Sequence, residues 1–180
     1  MSLAAIKDRL PDYARDLKLN LAAIAAPGEL SPARAWGTAL AAAVAARNRE
    51  LLAAITAEAA PHLDAAGQRA ARGAAALMGM NNVYYRFTHM MGDADYAKLP
   101  ARLRMQFIGN PGVDALDFEL WCLAVSAING CEMCVRSHEQ VVRQKGATAA
   151  MVQDAVRIAA IVHAVAVVLD AEPATAAAAA

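Results

Sequence analysis

The chain has 180 residues, of which 58% are apolar and only 5% aromatic, and its 17 basic and 17 acidic side chains balance to zero net charge. Neutral charge without a Lys/Arg-rich run argues against nucleic acid as a partner. The first ten residues contain Lys7, Asp8 and Arg9, unlike a secretion signal. The longest apolar run, residues 158–169, is shorter than the roughly 20 residues that span a bilayer. We therefore expect a cytoplasmic protein without a membrane segment.

Caps and helix breakers divide the first half of the chain into predicted helices over residues 4–10, 12–24, 31–46, 50–60 and 64–85, with a turn at 27–28. Ser31 followed by Pro32 is a strong start signal, because Ser caps free amides and Pro suits the first helical position. Asp64 can cap the last of these helices in the same way. Ala is abundant and β-branched residues are sparse, which favours helices packed closely through small side chains.

In the second half we expect residues 88–98 to be irregular, helices over 99–108, 114–129, 131–145 and 148–170, and an Ala-rich tail at 171–180. Gly130 separates two of these helices, and Gly146 ends the second of them. No stretch shows the alternating pattern of a β-strand. The fold class predicted from the sequence is therefore all-α.

A weak internal repeat has a spacing of 85 residues and aligns Trp36 with Trp121 and Arg72 with Arg157. It predicts one compact helical domain over residues 1–170, built from two similar helical halves at about 31–85 and 114–170. Chance similarity in an Ala-rich chain is the alternative. Under this alignment Arg34 stands where the second half has Glu119, so we expect the chemistry in the second half alone.

Two cysteines and a histidine have the spacing of one helix face: Cys131, Cys134 and His138. Free amides and the helix dipole at the start of that helix favour a thiolate. His138 lies one turn beyond Cys134 and can lower the pKa of that thiol further. Two neighbouring thiols support a reversible cycle, in which one attacks a peroxide or disulfide and the other resolves the adduct.

Glu119 lies on the preceding predicted helix. If that helix returns antiparallel through Gly130, Glu119 lies about 15 Å from the turn and His138 about 12 Å, at about 1.5 Å per residue. We predict direct contact or one bridging water, and a proton relay from Glu119 through His138 to Cys134. The alternative is that Glu119 only stabilises the start of its helix.

Other candidate residues have simpler interpretations. Cys122 has no partner at redox spacing and is predicted to be a small buried apolar residue. Met78 and Met80 are expected to pack in the core. Cys131, Cys134, His138 and Glu119 could instead be four zinc ligands. Three of these residues crowd one helix, however, and the sequence has no second Cys/His pair.

At these residues the sequence resembles the alkyl hydroperoxidase D family, within the carboxymuconolactone decarboxylase-like superfamily. The resemblance covers nearly the whole chain and is carried by residues 17–21 (LKLNL), 78–83 (MGMNNV), 110–112 (NPG), 118–121 (FELW) and 124–131 (AVSAINGC). It implies an all-helical fold, a homotrimer and a thiol peroxidase cycle. It also implies that Glu119 and His138 form the proton relay, that Cys134 meets the peroxide and that Cys131 resolves the adduct.

The resemblance further implies the partners of the enzyme. The enzyme is expected to regenerate a peroxiredoxin, alkyl hydroperoxide reductase C. Its electrons are expected to come from dihydrolipoamide on an acyltransferase, and a flavoprotein dehydrogenase reduces that lipoamide. No tightly bound cofactor is expected. Met133 departs from family members with His between the cysteines, so no second relay residue is implied there. The alternatives are a general disulfide oxidoreductase without peroxidase activity, a decarboxylase or isomerase that needs no dithiol, and a zinc-binding structural module.

Overall fold

The computed structural model describes residues 2–26 and 28–172, with the backbone alone at residue 97, and contains only helices and connecting segments within those ranges. The all-α fold class is confirmed. Two short 3₁₀ helices, Asp12–Ala14 and Ala23–Ala25, flank the second α-helix. The α-helices are α1 (Leu3–Arg9), α2 (Arg15–Ala22), α3 (Pro32–Ala46), α4 (Arg49–Ala59), α5 (Ala65–Met91), α6 (Ala94–Lys98), α7 (Gln106–Gly109), α8 (Ala115–Ile128), α9 (Glu132–Gln144) and α10 (Ala149–Ala171).

Side-chain caps fix the helix starts where the sequence predicted them. Ser31 accepts a hydrogen bond from the Arg34 amide at 3.3 Å, and Pro32 follows as the first residue of α3. Asp64 accepts from the Gly67 amide at 2.7 Å at the start of α5. Asp114 and Thr148 cap α8 and α10 in the same way. Each cap satisfies one of the amides that the first helical turn leaves free.

Two predictions between the halves of the chain were wrong. Residues 88–98 are largely helical, because α5 continues to Met91 and ends only at Gly92, which adopts the left-handed conformation with φ of 61°; α6 then follows. The helix predicted over 99–108 is reduced to α7. Pro100 disfavours helical geometry at Leu99, which is extended, and Pro100 itself cannot donate an amide hydrogen bond.

The core is built around α3, which packs against α4, α5, α8 and α10. At its contact with α8, a Cβ atom at Gly37 would lie 2.2 Å from the Trp121 ring, so only glycine permits this approach. Trp121 is buried and donates its indole N–H to the Arg34 carbonyl at 3.2 Å. Trp121 therefore packs between α3 and α8, and this contact fixes the helix that carries Glu119.

Helix α10 is long and apolar enough to cross a membrane by length and composition, with a mean hydropathy of 1.8 over its most apolar stretch. Half of that stretch is buried inside the protein. Ile158, Val162 and Val165 belong to this buried side and pack in the core. Its apolar composition is therefore explained by core packing.

Three helices in the same order make up each predicted half: α3 to α5 in the first and α8 to α10 in the second. Arg34, the predicted counterpart of Glu119, binds Asp117 on α8 with an N–O distance of 2.5 Å and thus joins the halves. The repeat and the domain limits stay predictions. Residues 173–180 of the predicted tail, and Pro27 of the predicted turn, lie outside the described part of the chain.

Candidate active site

Glu119 and His138 meet across two helices. The polypeptide reverses between α8 and α9 at Gly130, whose φ of 64° suits glycine, and Cys131 caps the start of α9. Glu119 Oε2 then lies 2.6 Å from His138 Nδ1, and both side chains are largely buried. The predicted contact is present and direct. Because a carboxylate only accepts hydrogen bonds, His138 donates its Nδ1–H, which leaves Nε2 as the nitrogen that can exchange a proton elsewhere.

A buried amide network holds the turn that precedes the cysteines. Asn82 on α5 donates to Ser126 Oγ at 3.0 Å and accepts from Asn129 Nδ2 at 2.9 Å. Arg86, one turn further along α5, donates to the Asn129 carbonyl at 2.5 Å. Both ends of the Asn82 amide are therefore satisfied, and α5 is tied to the end of α8. This network positions the backbone from which Cys131 starts α9.

Cys131 and Cys134 are joined as a disulfide, with their Cα atoms 5.3 Å apart. The Cys131 sulfur also accepts the Cys134 amide at 3.4 Å, as an N-cap does. The two cysteines differ in surroundings: Cys131 is fully buried, whereas Cys134 keeps 7% exposure and lines a cavity. Only Cys134 is therefore open to a small molecule that enters from that side.

The cavity beside Cys134 has a volume of about 290 Å³ and lies between α5 and α9. Its walls are mostly apolar, with a few polar groups, as is usual for small-molecule sites. The lining residues are Met78, Asn81, Tyr85, Met133, Cys134, Ser137 and His138. His138 Nε2 faces the Met78 sulfur at 3.2 Å. His138, which Glu119 orients, therefore shares a cavity with Cys134, while transfer of a proton between them stays a prediction.

A second cavity of about 610 Å³ adjoins the first and shares Tyr85 and Met133 with it. Tyr84, Tyr96 and Leu99 form much of its remaining wall. Met133, one of the two residues between the cysteines, thus lies at the border of both cavities. The Met133 side chain contributes to the walls of both cavities and adds no titratable group to them.

Asn81 differs from its neighbour Asn82. It is only 5% exposed and lines the cavity beside Cys134, yet its Oδ1 atom has no hydrogen-bond partner within residues 2–26 and 28–172. Leaving a buried polar atom unpaired costs about 1–3 kcal/mol, and such atoms are rare in folded proteins.

The alternative of four zinc ligands has no geometric support. The sulfur atoms of Cys131 and Cys134 are bonded to each other, and His138 Nδ1 is held by Glu119. In the part of the chain that the structure describes, no group of three or more His, Cys, Asp or Glu side chains is placed to hold a metal ion.

Cys122 is a buried free thiol on α8, as predicted. Burial raises the pKa of this thiol well above its ordinary value, and the charge of Glu119 raises it further. The raised pKa keeps the side chain protonated and unreactive at neutral pH. The chemistry of the site therefore belongs to the other two cysteines.

The pKa of Cys122 predicts a pH dependence of stability. The unfolded thiol ionises near its ordinary pKa of about 8.5, while the folded thiol keeps its proton, so the free energy of unfolding falls as pH rises above that value. We expect urea unfolding of the oxidised protein between pH 7.5 and 10 to show that wild type loses up to about 1.4 kcal/mol per pH unit relative to Cys122→Ala. A difference between the two proteins that stays constant over this range would contradict the assignment.

Sequence patterns alone did not assign the three cavity residues on α5: Met78, Asn81 and Tyr85. They lie on one face of α5, more than 40 residues before the cysteines, so no local spacing connects them to the site. Met78 was predicted to pack in the core and does so, but it also contacts His138. The adjacent amides of Asn81 and Asn82 within a largely apolar helix were the available signal, because buried amides need partners.

Comparison with known proteins finds one matching family model and a set of bacterial relatives that share one name. The carboxymuconolactone decarboxylase family model matches residues 94–177. A protein of Rhodospirillum centenum named alkyl hydroperoxide reductase AhpD is 61% identical over 174 residues, which cover 97% of this chain and 94% of that protein. Proteins with the same name from Gluconacetobacter diazotrophicus and Anaeromyxobacter dehalogenans are 59% and 57% identical, each over 94% of this chain and over 93% and 91% of their own length.

Proposed function

The chain belongs to the AhpD family of alkyl hydroperoxide reductases, and on that premise we propose that it reduces alkyl hydroperoxides by a dithiol–disulfide cycle of Cys131 and Cys134. One observation carries the proposal: Cys134 and His138 line the same cavity, whereas Cys131 is fully buried beside its partner sulfur. This arrangement supports Cys134 as the thiol that meets the peroxide and Cys131 as the thiol that resolves it.

The cycle begins when His138 Nε2 accepts the proton of the Cys134 thiol, with Glu119 stabilising the imidazolium. The thiolate sulfur attacks the terminal oxygen of the hydroperoxide, the O–O bond breaks, and the alkoxide takes the proton from His138. The products are an alcohol and a sulfenic acid at Cys134. The Cys131 thiol then loses its proton and attacks the Cys134 sulfur, and the hydroxyl group of the sulfenic acid leaves with that proton as water, which forms the disulfide.

A dithiol must reduce the disulfide to close the cycle. We propose dihydrolipoamide on an acyltransferase partner as the donor, in the bacterial cytoplasm, and a peroxiredoxin, alkyl hydroperoxide reductase C, as a further partner that the enzyme regenerates. Attack of an external thiolate on the accessible Cys134 sulfur makes Cys131 the leaving thiolate. Cys131 is well suited to leave, because its sulfur accepts an amide hydrogen bond at the start of α9. The cycle requires no tightly bound cofactor.

The direct test is consumption of cumene hydroperoxide by the purified protein with dihydrolipoamide as the only reductant. We expect turnover in the wild type and in the control variant Cys122→Ala, because Cys122 is a protonated thiol outside the cycle. Reduction of the Cys131–Cys134 disulfide by dihydrolipoamide without loss of hydroperoxide would instead identify a general disulfide oxidoreductase.

We also propose that the chain forms a homotrimer. Large apolar side chains are exposed together on the end of α5 and the segment after it: Val83, Phe87, Met90, Met91, Tyr96 and Leu99. Several exposed large apolar side chains within one segment are typical of a protein interface.

Met90→Lys is expected to shift the protein from trimer to monomer in light scattering at micromolar concentration, because it places a charge in that apolar surface. Leu19→Lys on α2 is the matched control, since Leu19 is 73% exposed and Met90 is 75% exposed. A wild-type monomer, or equal effects of both substitutions, would contradict the assignment of this surface.

A further inference from the structure

The larger cavity has no part in the proposed cycle, yet it adjoins the place where the peroxide group reacts. Its volume is about 610 Å³, and it shares Tyr85 and Met133 with the cavity of Cys134. The smaller cavity, at about 290 Å³, is just below the range of about 300–1,000 Å³ that is usual for small-molecule sites. A hydroperoxide with a long alkyl chain therefore extends beyond the smaller cavity when its peroxide group lies at Cys134.

The polar side chains in the wall of the larger cavity already have partners within the protein. Thr88 donates its hydroxyl hydrogen to the Tyr85 carbonyl at 3.0 Å, and Asp93 accepts from a backbone amide of α6 at 2.8 Å. His89 pairs with Glu132, with 3.5 Å between Nε2 and Oε2. The rest of the wall consists of tyrosine rings and of apolar or small residues. Such a wall suits an alkyl chain, which leaves water readily and needs no hydrogen-bond partner.

Met133 lies where a chain would pass from one cavity to the other. It immediately precedes Cys134 and is half-buried, and its unbranched side chain adapts its shape easily. Tyr96 and Leu99, in the wall of the larger cavity, are 39% and 62% exposed, so this cavity is partly open to the surface. Both residues belong to the surface proposed for the trimer, and contact with a neighbouring subunit would shield a bound chain from water.

We propose that the larger cavity binds the alkyl chain of the hydroperoxide, so that the enzyme prefers long-chain alkyl hydroperoxides to short ones. The peroxide group reacts at Cys134 as in the proposed cycle, and the chain passes Met133 and lies along the tyrosine and leucine side chains of the larger cavity. Burial of the chain stabilises the transition state relative to free enzyme and substrate, so the second-order rate constant rises with chain length. This inference rests on the proposed hydroperoxide reductase function and names its substrate class.

The test measures the second-order rate constant at which primary alkyl hydroperoxides, from ethyl to octyl, oxidise the reduced protein. In wild type this rate constant should rise by up to about fourfold for each methylene that enters the larger cavity. Ala101→Trp places a large side chain in the wall of that cavity and should lower the octyl-to-ethyl ratio of rate constants by about tenfold or more. Ala160→Trp is the matched control, because Ala160 lines a separate cavity between α2 and α10, and it should keep the wild-type ratio.

Ala94→Trp provides the same comparison at an exposed position of the same wall, in case Ala101→Trp does not fold. A wild-type rate constant that does not depend on chain length would overturn the inference, and so would a wild-type octyl-to-ethyl ratio in both variants. A wild-type ratio combined with slower reduction of the disulfide by dihydrolipoamide would assign the cavity to the dithiol donor instead.

The same series separates this inference from the proposed function. A protein that none of the hydroperoxides oxidises would refute the proposed function and the inference with it. A protein that all of them oxidise at one rate would refute the inference alone.

Discussion

Cys134→Ser is expected to abolish hydroperoxide turnover, and Cys131→Ser is expected to abolish it for a different reason. Cys134 lines the cavity and carries the sulfur that a hydroperoxide can reach, so its loss removes the first step. Cys131 is buried behind it, so its loss leaves the first step intact but removes the thiol that resolves the sulfenic acid. Steady-state consumption of cumene hydroperoxide with dihydrolipoamide measures both losses.

Cys122→Ser and the double variant Cys122→Ser/Cys131→Ser are the controls. The single control keeps both cysteines of the cycle and should turn over, since Cys122 is fully buried and has no sulfur partner. The double control shows that Cys122 does not replace the resolving thiol. Sustained turnover in Cys131→Ser that depends on Cys122 would contradict the assigned pair.

His138→Phe should lower kcat/KM for hydroperoxide by about 10²–10⁴-fold, the usual contribution of a positioned base. Glu119→Gln should cause a smaller loss, because Gln can still accept the Nδ1 hydrogen bond but does not stabilise the imidazolium by charge. Glu119 acts through His138, so the double variant should be little slower than His138→Phe alone.

His163→Phe is a suitable control for the relay, because His163 is exposed on α10 and does not line the cavity of Cys134. It should react at the wild-type rate. The pH profile of kcat/KM supplies a second readout: the limb that reports the base should disappear in His138→Phe and persist in His163→Phe. Losses that multiply strictly in the Glu119/His138 double variant would show two independent groups instead of one relay.

Much of the fold could be predicted from local signals because the starts of the long helices α3, α5, α8 and α10 carry their own caps. Ser31, Asp64 and Thr148 all bind free amides at the positions that the sequence indicated. The segment after α5 could not be predicted equally well. Its Met and Asp residues resemble a loop in composition, yet the helix continues until Gly92 supplies the left-handed turn.

In the candidate site, too, local spacing predicted some residues, whereas tertiary packing places others. The spacing of Cys131, Cys134 and His138 places them on one helix by local rules alone, and an antiparallel return was enough to predict that Glu119 meets His138. Asn81 could not be assigned in this way. Its place beside Cys134 depends on how α5 packs against α9, which is a tertiary contact between residues distant in sequence.

The central claim is that Cys134 is the thiol that hydroperoxide oxidises, and a single-turnover experiment tests it most directly. Reduced Cys131→Ser and Cys134→Ser proteins are each mixed with one equivalent of cumene hydroperoxide and a dimedone-type probe, and the labelled cysteine is located by peptide mass analysis. We predict rapid labelling at Cys134 in Cys131→Ser and almost none at Cys131 in Cys134→Ser. Labelling of Cys131 at the wild-type rate of peroxide reduction would reverse the assignment, and labelling of neither cysteine would contradict the dithiol cycle itself.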